Sequence, residues 1–387
     1  MNRPASLPRS DSAGRPINRP GAAAAIRVMI VDDSLTVRTI FKRMVESDPA
    51  LVIAGTAASA ERAIAQLSDT PADVVLLDLE MPGMGGLDAL PAILATPGGP
   101  QVLVVSSLTV DGAEHTLSAL QMGAADTLLK PRPGGFTEDY RAALLGKIRA
   151  LGSRPPESGD DGSALAARGP APAFASPPRA RRCARPEVVA IGASTGGIHA
   201  LGLMLRRLAP DFDVPLLITQ HLPASFMPVF ARQIETACGR PAEIAEDGMA
   251  LTPGRILIAP GHGHIVVRRQ PGTGALVTRI STQAAASGCL PSVDPMLSSL
   301  AEACERRALG VILSGMGRDG VLGAQVLIDA GGTLYAQDAD SSAVWGMPGA
   351  VARAGLASLV AAPDRLGDAV MAQAAAPVAP ASSAALR

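Results

Sequence analysis

The chain has 387 residues, of which 48% are hydrophobic and only 2% aromatic, and its formal net charge is −1. That length predicts two or three domains, with cores built from Ala, Val, Leu and Ile. The near-neutral charge offers no electrostatic case for nucleic acid, no apolar run approaches a membrane span, and the widely spaced cysteines Cys183, Cys238, Cys289 and Cys304 contain no C-x-x-C, so neither a disulfide framework nor a zinc site is suggested.

Residues 1–25 read as a disordered tail, polar and rich in Pro and Arg, without the apolar segment of a secretory signal. The expectation is a cytoplasmic protein with no membrane insertion. From 26 to 150 the pattern alternates. Strand-like apolar runs at 27–31, 51–54, 74–77, 102–105 and 127–129 are separated by helix-period segments, the last at 136–151. Five such units predict a small flavodoxin-like parallel sheet, whose ligands sit at the carboxyl ends of the strands. At those ends stand Asp32-Asp33-Ser34, Asp78, Ser106-Ser107 and Lys130-Pro131. Crowded carboxylates repel one another, and a hard cation such as Mg²⁺ relieves the repulsion while accepting phosphate oxygens. A lysine and a hydroxyl suit the same phosphate, and an exposed aspartate beside them can act as its acceptor. Taken singly, the aspartates could equally be a helix cap or a strand end, and Lys130 a surface residue.

This block, with V-D-D-S, L-L-D-L-E-M-P-G-M, V-S-S and L-K-P, resembles a two-component receiver domain over roughly 26–148. The resemblance implies that Asp78 accepts a phosphoryl group, that Asp32 and Asp33 hold Mg²⁺ with it, that Ser106 is the switch hydroxyl and that Lys130 contacts the phosphoryl group. Two positions depart from the family pattern: Thr127 stands where an aromatic is usual, and Met84-Gly85-Gly86 replaces M-D-G.

Residues 151–186 hold seven Pro and four Gly in 36 residues and read as a flexible linker. Residues 187–374 are again α/β in pattern, expected as a doubly wound, mostly parallel sheet, and 375–387 read as a flexible tail. Strand-like runs fall at 188–191, 216–219, 256–259, 265–268, 310–313 and 333–335, and helical segments at 197–209, 226–238 and 321–330. The runs 265–268 and 277–280 can pair as a hairpin.

Gly192-Ala193-Ser194-Thr195-Gly196 satisfies G-x-S-x-G, a turn whose small residues expose a serine at a helix N-terminus. The free N–H groups there suit an oxyanion or a phosphate, but neither G-K-[ST] nor G-x-G-x-x-G is present. A helix cap is the bland reading. A serine nucleophile needs a base, and His221 ends the next strand after Ser194, so both reach one sheet edge. His115 lies in the first block, His199 is expected at the surface, and His262 and His264 are expected to serve loop packing. Asp319, in the glycine-rich loop after 310–313, is the best orienting carboxylate, with Asp338 the runner-up. The order Ser…His…Asp differs from that of an α/β-hydrolase.

I-G-A-S-T-G-G, Q-H-L-P, A-P-G, P-S-V-D, L-S-G-M-G-R-D-G and Q-D-A-D-S-S-A-V-W-G-M-P-G-A-V resemble the catalytic domain of the chemotaxis response regulator protein-glutamate methylesterases. The resemblance covers about 187–373, and receiver, linker and catalytic domain follow in the family's order. It implies Ser194 as nucleophile, His221 as base and Asp319 as its partner, with Thr195 beside the nucleophile and the Met316 N–H as oxyanion donor. It further implies methyl-accepting chemotaxis receptors as substrates, a chemotaxis histidine kinase as phosphodonor, release of methanol, and deamidation of receptor glutamines. Mg²⁺ serves phosphorylation, and no cofactor is expected at the hydrolase site. The receiver is expected to cover that site until Asp78 is phosphorylated. Arg318 replaces a common Asn of the family loop and is expected to face substrate. Rival readings are a DNA-binding response regulator, which lacks its basic helix-turn-helix here, and a receiver fused to a non-catalytic binding module.

Overall fold

The computed structural model describes residues 25–106, 110–131, 135–153 and 185–376. Nearly all of the expected tails and of the linker, together with Ser107 and Cys183, lie outside these residues.

The first unit has β1 (Ile26–Val31), α1 (Leu35–Glu46), β2 (Leu51–Ala57), α2 (Ala60–Asp69), β3 (Val74–Asp78), α3 (Gly86–Leu94), β4 (Gln101–Ser106), α4 (Val110–Met122), β5 (Asp126–Leu129) and α5 (Glu138–Gly152). All five strands are parallel, in the order β2-β1-β3-β4-β5. β3 (Val-Val-Leu-Leu-Asp) is buried along its whole length, as a parallel strand covered on both faces must be. α1 starts because the Ser34 hydroxyl accepts from the Val37 N–H, so Ser34 rather than Asp32-Asp33 is the cap. Its Phe41, Met44 and Val45 recur at helical spacing and form the buried face.

The second unit continues with β6 (Val188–Ala193), α6 (Gly197–Leu205), β7 (Leu216–Gln220), α7 (Met227–Cys238), β8 (Ala242–Ile244), β9 (Ile256–Ile258), β10 (His264–Arg269), β11 (Leu276–Ser281), α8 (Val293–Cys304), β12 (Ala308–Ile312), α9 (Val321–Asp329), β13 (Thr333–Gln337), α10 (Met347–Arg353), β14 (Leu359–Ala361) and α11 (Pro363–Ala374). Seven parallel strands run in the order β14-β13-β12-β6-β7-β9-β8, and β10 pairs with β11 as the expected antiparallel hairpin. Both predicted sheets are therefore present. α6 ends four residues earlier than its apolar pattern suggested, because Arg206–Leu208 turn back onto its last carbonyls.

In the second sheet, strand order reverses between β6 and β12. At such a point the two flanking connections leave in opposite directions and open a crevice at the strand ends. β6 delivers Ser194 there, β12 leads to Asp319, and β7, next to β6, delivers His221. In the first sheet the reversal lies between β1 and β3, which end at Asp32 and Asp78.

Candidate functional site

Two polar clusters occupy these crevices. In the first, Asp32 and Asp78 are buried and Asp33 is exposed, with one carboxylate oxygen of each within 4.8 Å of the others. Lys130 Nζ lies 2.6 Å from Asp78 Oδ2 and 2.9 Å from Asp32 Oδ2. Burial pushes the Asp78 carboxyl up to about 6, against the pull of Lys130. The Ser106 hydroxyl is buried without a hydrogen bond among the described residues. A cluster of three carboxylates fits a hard cation. Gly86 keeps the altered loop packed against the end of β3: a Cβ there would stand 2.0 Å from the Asp78 carbonyl oxygen. The Thr127 hydroxyl, at the usual aromatic position, is also buried without a hydrogen bond among the described residues.

The second cluster is built on the turn after β6. Gly196 has φ 75°, and a Cβ there would lie 2.5 Å from the Ala343 Cβ. Only glycine fits both the left-handed backbone and the space. The turn is held by Ser194 N–H donating to the Ser314 carbonyl (3.0 Å) and by the Gln220 amide donating to the Ser194 carbonyl (3.0 Å). The loop after β12 comes so close that a Cβ on Gly315 would sit 2.9 Å from the Ser194 Cβ. The following residue, Met316, is exposed, and its N–H makes no hydrogen bond among the described residues. The expected nucleophile thus lies against the residue that precedes the expected oxyanion donor.

His221 Nε2 lies 2.8 Å from Asp319 Oδ2. Burial alone would raise the Asp319 carboxyl. Hydrogen bonds from His221, from the Ser292 hydroxyl (2.6 Å) and from the Val293 N–H (2.7 Å) outweigh it and hold Asp319 well below the usual carboxylate range. Asp319 therefore stays ionised, and Nε2 carries the proton of this bond. The other ring nitrogen, Nδ1, makes no hydrogen bond among the described residues, and Ser194 lines the same narrow pocket as His221.

Asp319 does not cap α9, whose cap residue is Gly320. Asp338 accepts from Ser341 within its own turn and is no rival. His115, His262 and Arg318 are exposed. His264 is buried: its Nδ1 accepts from the Ser292 N–H (2.9 Å) and its Nε2 donates to the Gln283 carbonyl (2.8 Å). It serves loop packing as expected, and that loop holds Asp319. His199 is not a free surface residue, because its Nδ1 meets the Gln121 carbonyl of α4 at 2.8 Å.

That contact belongs to an interface between the two units. The Gly196 N–H donates to the Ala125 carbonyl at 2.5 Å. The Thr195 hydroxyl donates to Asp126 Oδ2, which also pairs with Lys147 Nζ at 2.6 Å. Leu120, Ala124, Ala125 and Asp126 share the lining of the Ser194–His221 pocket. The sequence did not single out Ser292, Val293, Gln121, Asp126 or Lys147. P-S-V-D was the sole signal for the first two, and it carried no role.

A family model described as CheB methylesterase matches residues 189–370, and one described as response regulator receiver domain matches 28–136. A protein-glutamate methylesterase/protein-glutamine glutaminase of Paramagnetospirillum magneticum is 41% identical over 360 residues, covering 88% of this chain and 93% of the relative. One of Caulobacter vibrioides is 42% identical over 344 residues, covering 88% and 97%. Among solved structures, the Thermotoga maritima CheB methylesterase catalytic domain is 31% identical, with a TM-score of 0.47, covering 48% of this chain and 98% of that one. No described helix is long and apolar enough to cross a membrane.

Proposed function

The chain belongs to the CheB methylesterase family, with a response regulator receiver domain ahead of the methylesterase domain, and on that premise we propose that it is a phosphorylation-activated serine hydrolase of chemosensory adaptation. It demethylates glutamate methyl esters on chemotaxis receptors, releasing methanol, and deamidates receptor glutamines. Residues 26–150 are taken as the receiver and 187–374 as the catalytic unit, joined by the linker 151–186.

The observation that carries the reading is the Asp319–His221 pair, set in one crevice with a serine on a glycine turn. Ser194 Oγ attacks the ester carbonyl and gives its proton to His221 Nδ1. Asp319 holds the ring in the tautomer that leaves Nδ1 free and stabilises the imidazolium that forms. The developing oxyanion takes the Met316 N–H, a donor with no competing partner among the described residues. His221 then returns the proton to the departing methoxide, and methanol leaves an acyl group on Ser194. Water, deprotonated by His221, releases the glutamate carboxylate. With a glutamine, ammonia leaves in place of methanol and the acyl group is the same.

Asp78 accepts the phosphoryl group from a histidine kinase. Asp32, Asp33 and Asp78 would hold Mg²⁺, which when bound neutralises charge on the phosphoryl oxygens. Lys130 and Ser106 face the same group. The receiver residues that line the catalytic pocket support an arrangement in which unphosphorylated receiver blocks the receptor's approach. The test is methanol release from methylated receptors, with and without a small phosphodonor. Wild type should be stimulated, Ser194→Ala should release none in either condition, and Asp78→Asn should keep its basal rate without stimulation. Release by Ser194→Ala overturns the nucleophile.

A further inference from the structure

Cys289 has no part in the reaction above, yet it stands beside the catalytic pair. Its Sγ, a ring nitrogen of His221 and a carboxylate oxygen of Asp319 all lie within 4.8 Å of one another. The cysteine is free and partly exposed, so the cluster opens toward solvent. Thiolate, imidazole and carboxylate together are a ligand set for a borderline-soft cation, not for Mg²⁺. Two negative ligands and one neutral one balance a divalent charge. Tetrahedral zinc holds such donors roughly 3.3–3.8 Å apart, so the thiol needs to close by at most about 1.5 Å while the His221–Asp319 pair, now at 2.8 Å, opens by about 0.5 Å.

We infer that His221, Cys289 and Asp319 form an inhibitory site for zinc or a similar thiophilic divalent cation. On the Asp319 side of the ring the available nitrogen is Nε2. A cation there replaces the Nε2 proton, and the neutral imidazole carries its one proton on Nδ1 instead. The Cys289 thiol gives its proton to solvent. Nδ1 then has no lone pair to take the Ser194 proton, and Asp319 no longer orients the ring through its hydrogen bond. One binding event removes the base in both ways. The geometry of binding stands on the cluster itself, whereas the inhibition rests on the serine-hydrolase reading.

The experiment uses the full chain with Mg²⁺ in excess, so that the receiver carboxylates are filled. Cadmium titration is followed by sulfur-to-cadmium charge-transfer absorption, in wild type, Ser194→Ala and Cys289→Ser. The band should grow to one equivalent in wild type and in Ser194→Ala and be lost in Cys289→Ser. In parallel, methanol release is measured with and without zinc, each protein against its own metal-free rate. Zinc should slow wild type about tenfold or more and Cys289→Ser less than twofold. Equal inhibition of both, stimulation by zinc, or an undiminished band in Cys289→Ser overturns the proposal. If wild type releases no methanol at all, the hydrolase reading falls, and the cadmium band still decides the site.

Discussion

Asp319 takes three hydrogen bonds, from His221, Ser292 and the Val293 N–H. The last two are what make its orientation a property of the fold and not of the imidazole. Asp319→Asn keeps the shape but removes the charge and lets an amide N–H face the ring, so His221 turns to the wrong tautomer. We expect methanol release to fall by about 10⁴-fold while unfolding transitions stay cooperative. A loss under tenfold would show that the carboxylate does not set the tautomer. Asp78 is the opposite case, a buried carboxyl whose folded value is raised from 3.8 to about 6. The folded state therefore binds the proton more tightly than the unfolded one. The stability gained from that proton is full below pH 3.8 and is lost as pH rises through about 6. Metal-free protein should become less stable across that window, by urea unfolding. Asp78→Asn should flatten the slope, and Mg²⁺ should restore stability near neutral pH. A slope unchanged in Asp78→Asn would assign it elsewhere.

At the scale of elements, Ser194, His221 and Asp319 were legible because each follows an apolar run, and the ends of parallel strands converge. Their supports were not. Ser292 and Val293 come from a loop and the first turn of α8, a helix whose sequence opens Val-Asp-Pro and gave no periodic signal at its start. β8 and β14 are three residues each, too short for a pattern to declare itself. Asp126 carries no signal in the sequence, because nothing local says that a residue from a different unit will donate to it. The turn joining β6 to α6 shows how tightly such an element is specified. Gly196→Ala must hold a side chain at φ 75° and push against Ala343 and Ser314, 2.5 and 2.7 Å from the new Cβ. The left-handed backbone costs about 1–2 kcal/mol and the overpacking about 1–3 kcal/mol. We expect about 2–5 kcal/mol of destabilisation by denaturant unfolding. Release of methanol should drop about 10²-fold, because a shift of about 1 Å at Ser194 spoils the attack geometry. Stability and rate equal to wild type would mean that the turn relaxes freely.

For the whole molecule, the question is what holds the receiver over the catalytic crevice, and contact energies separate the candidates. The Arg232–Glu114 pair joins α7 to α4, but both side chains are more than half exposed, so its worth is below about 1 kcal/mol. Asp126 is different. Its side chain is only 13% exposed, and it accepts from Lys147 of its own unit and from Thr195 of the other, next to Ser194. A hydrogen bond to a charged group in such a place contributes about 1.5–3 kcal/mol. Its loss at the lower end shifts a closed-to-open equilibrium by about tenfold. Asp126 also accepts from the Thr127 N–H, and the Thr127 hydroxyl, buried without a hydrogen bond among the described residues, shares a sheet face with Ser106. Asp126→Ala should raise methanol release without phosphodonor by about tenfold, up to the fully open rate, and shrink the stimulation by the same factor. Glu114→Ala should change the unstimulated rate by less than about fivefold. Equal effects of the two, or none from Asp126→Ala, would mean that apolar packing around Leu120 and Ala124, and not this hydrogen bond, sets the closed state.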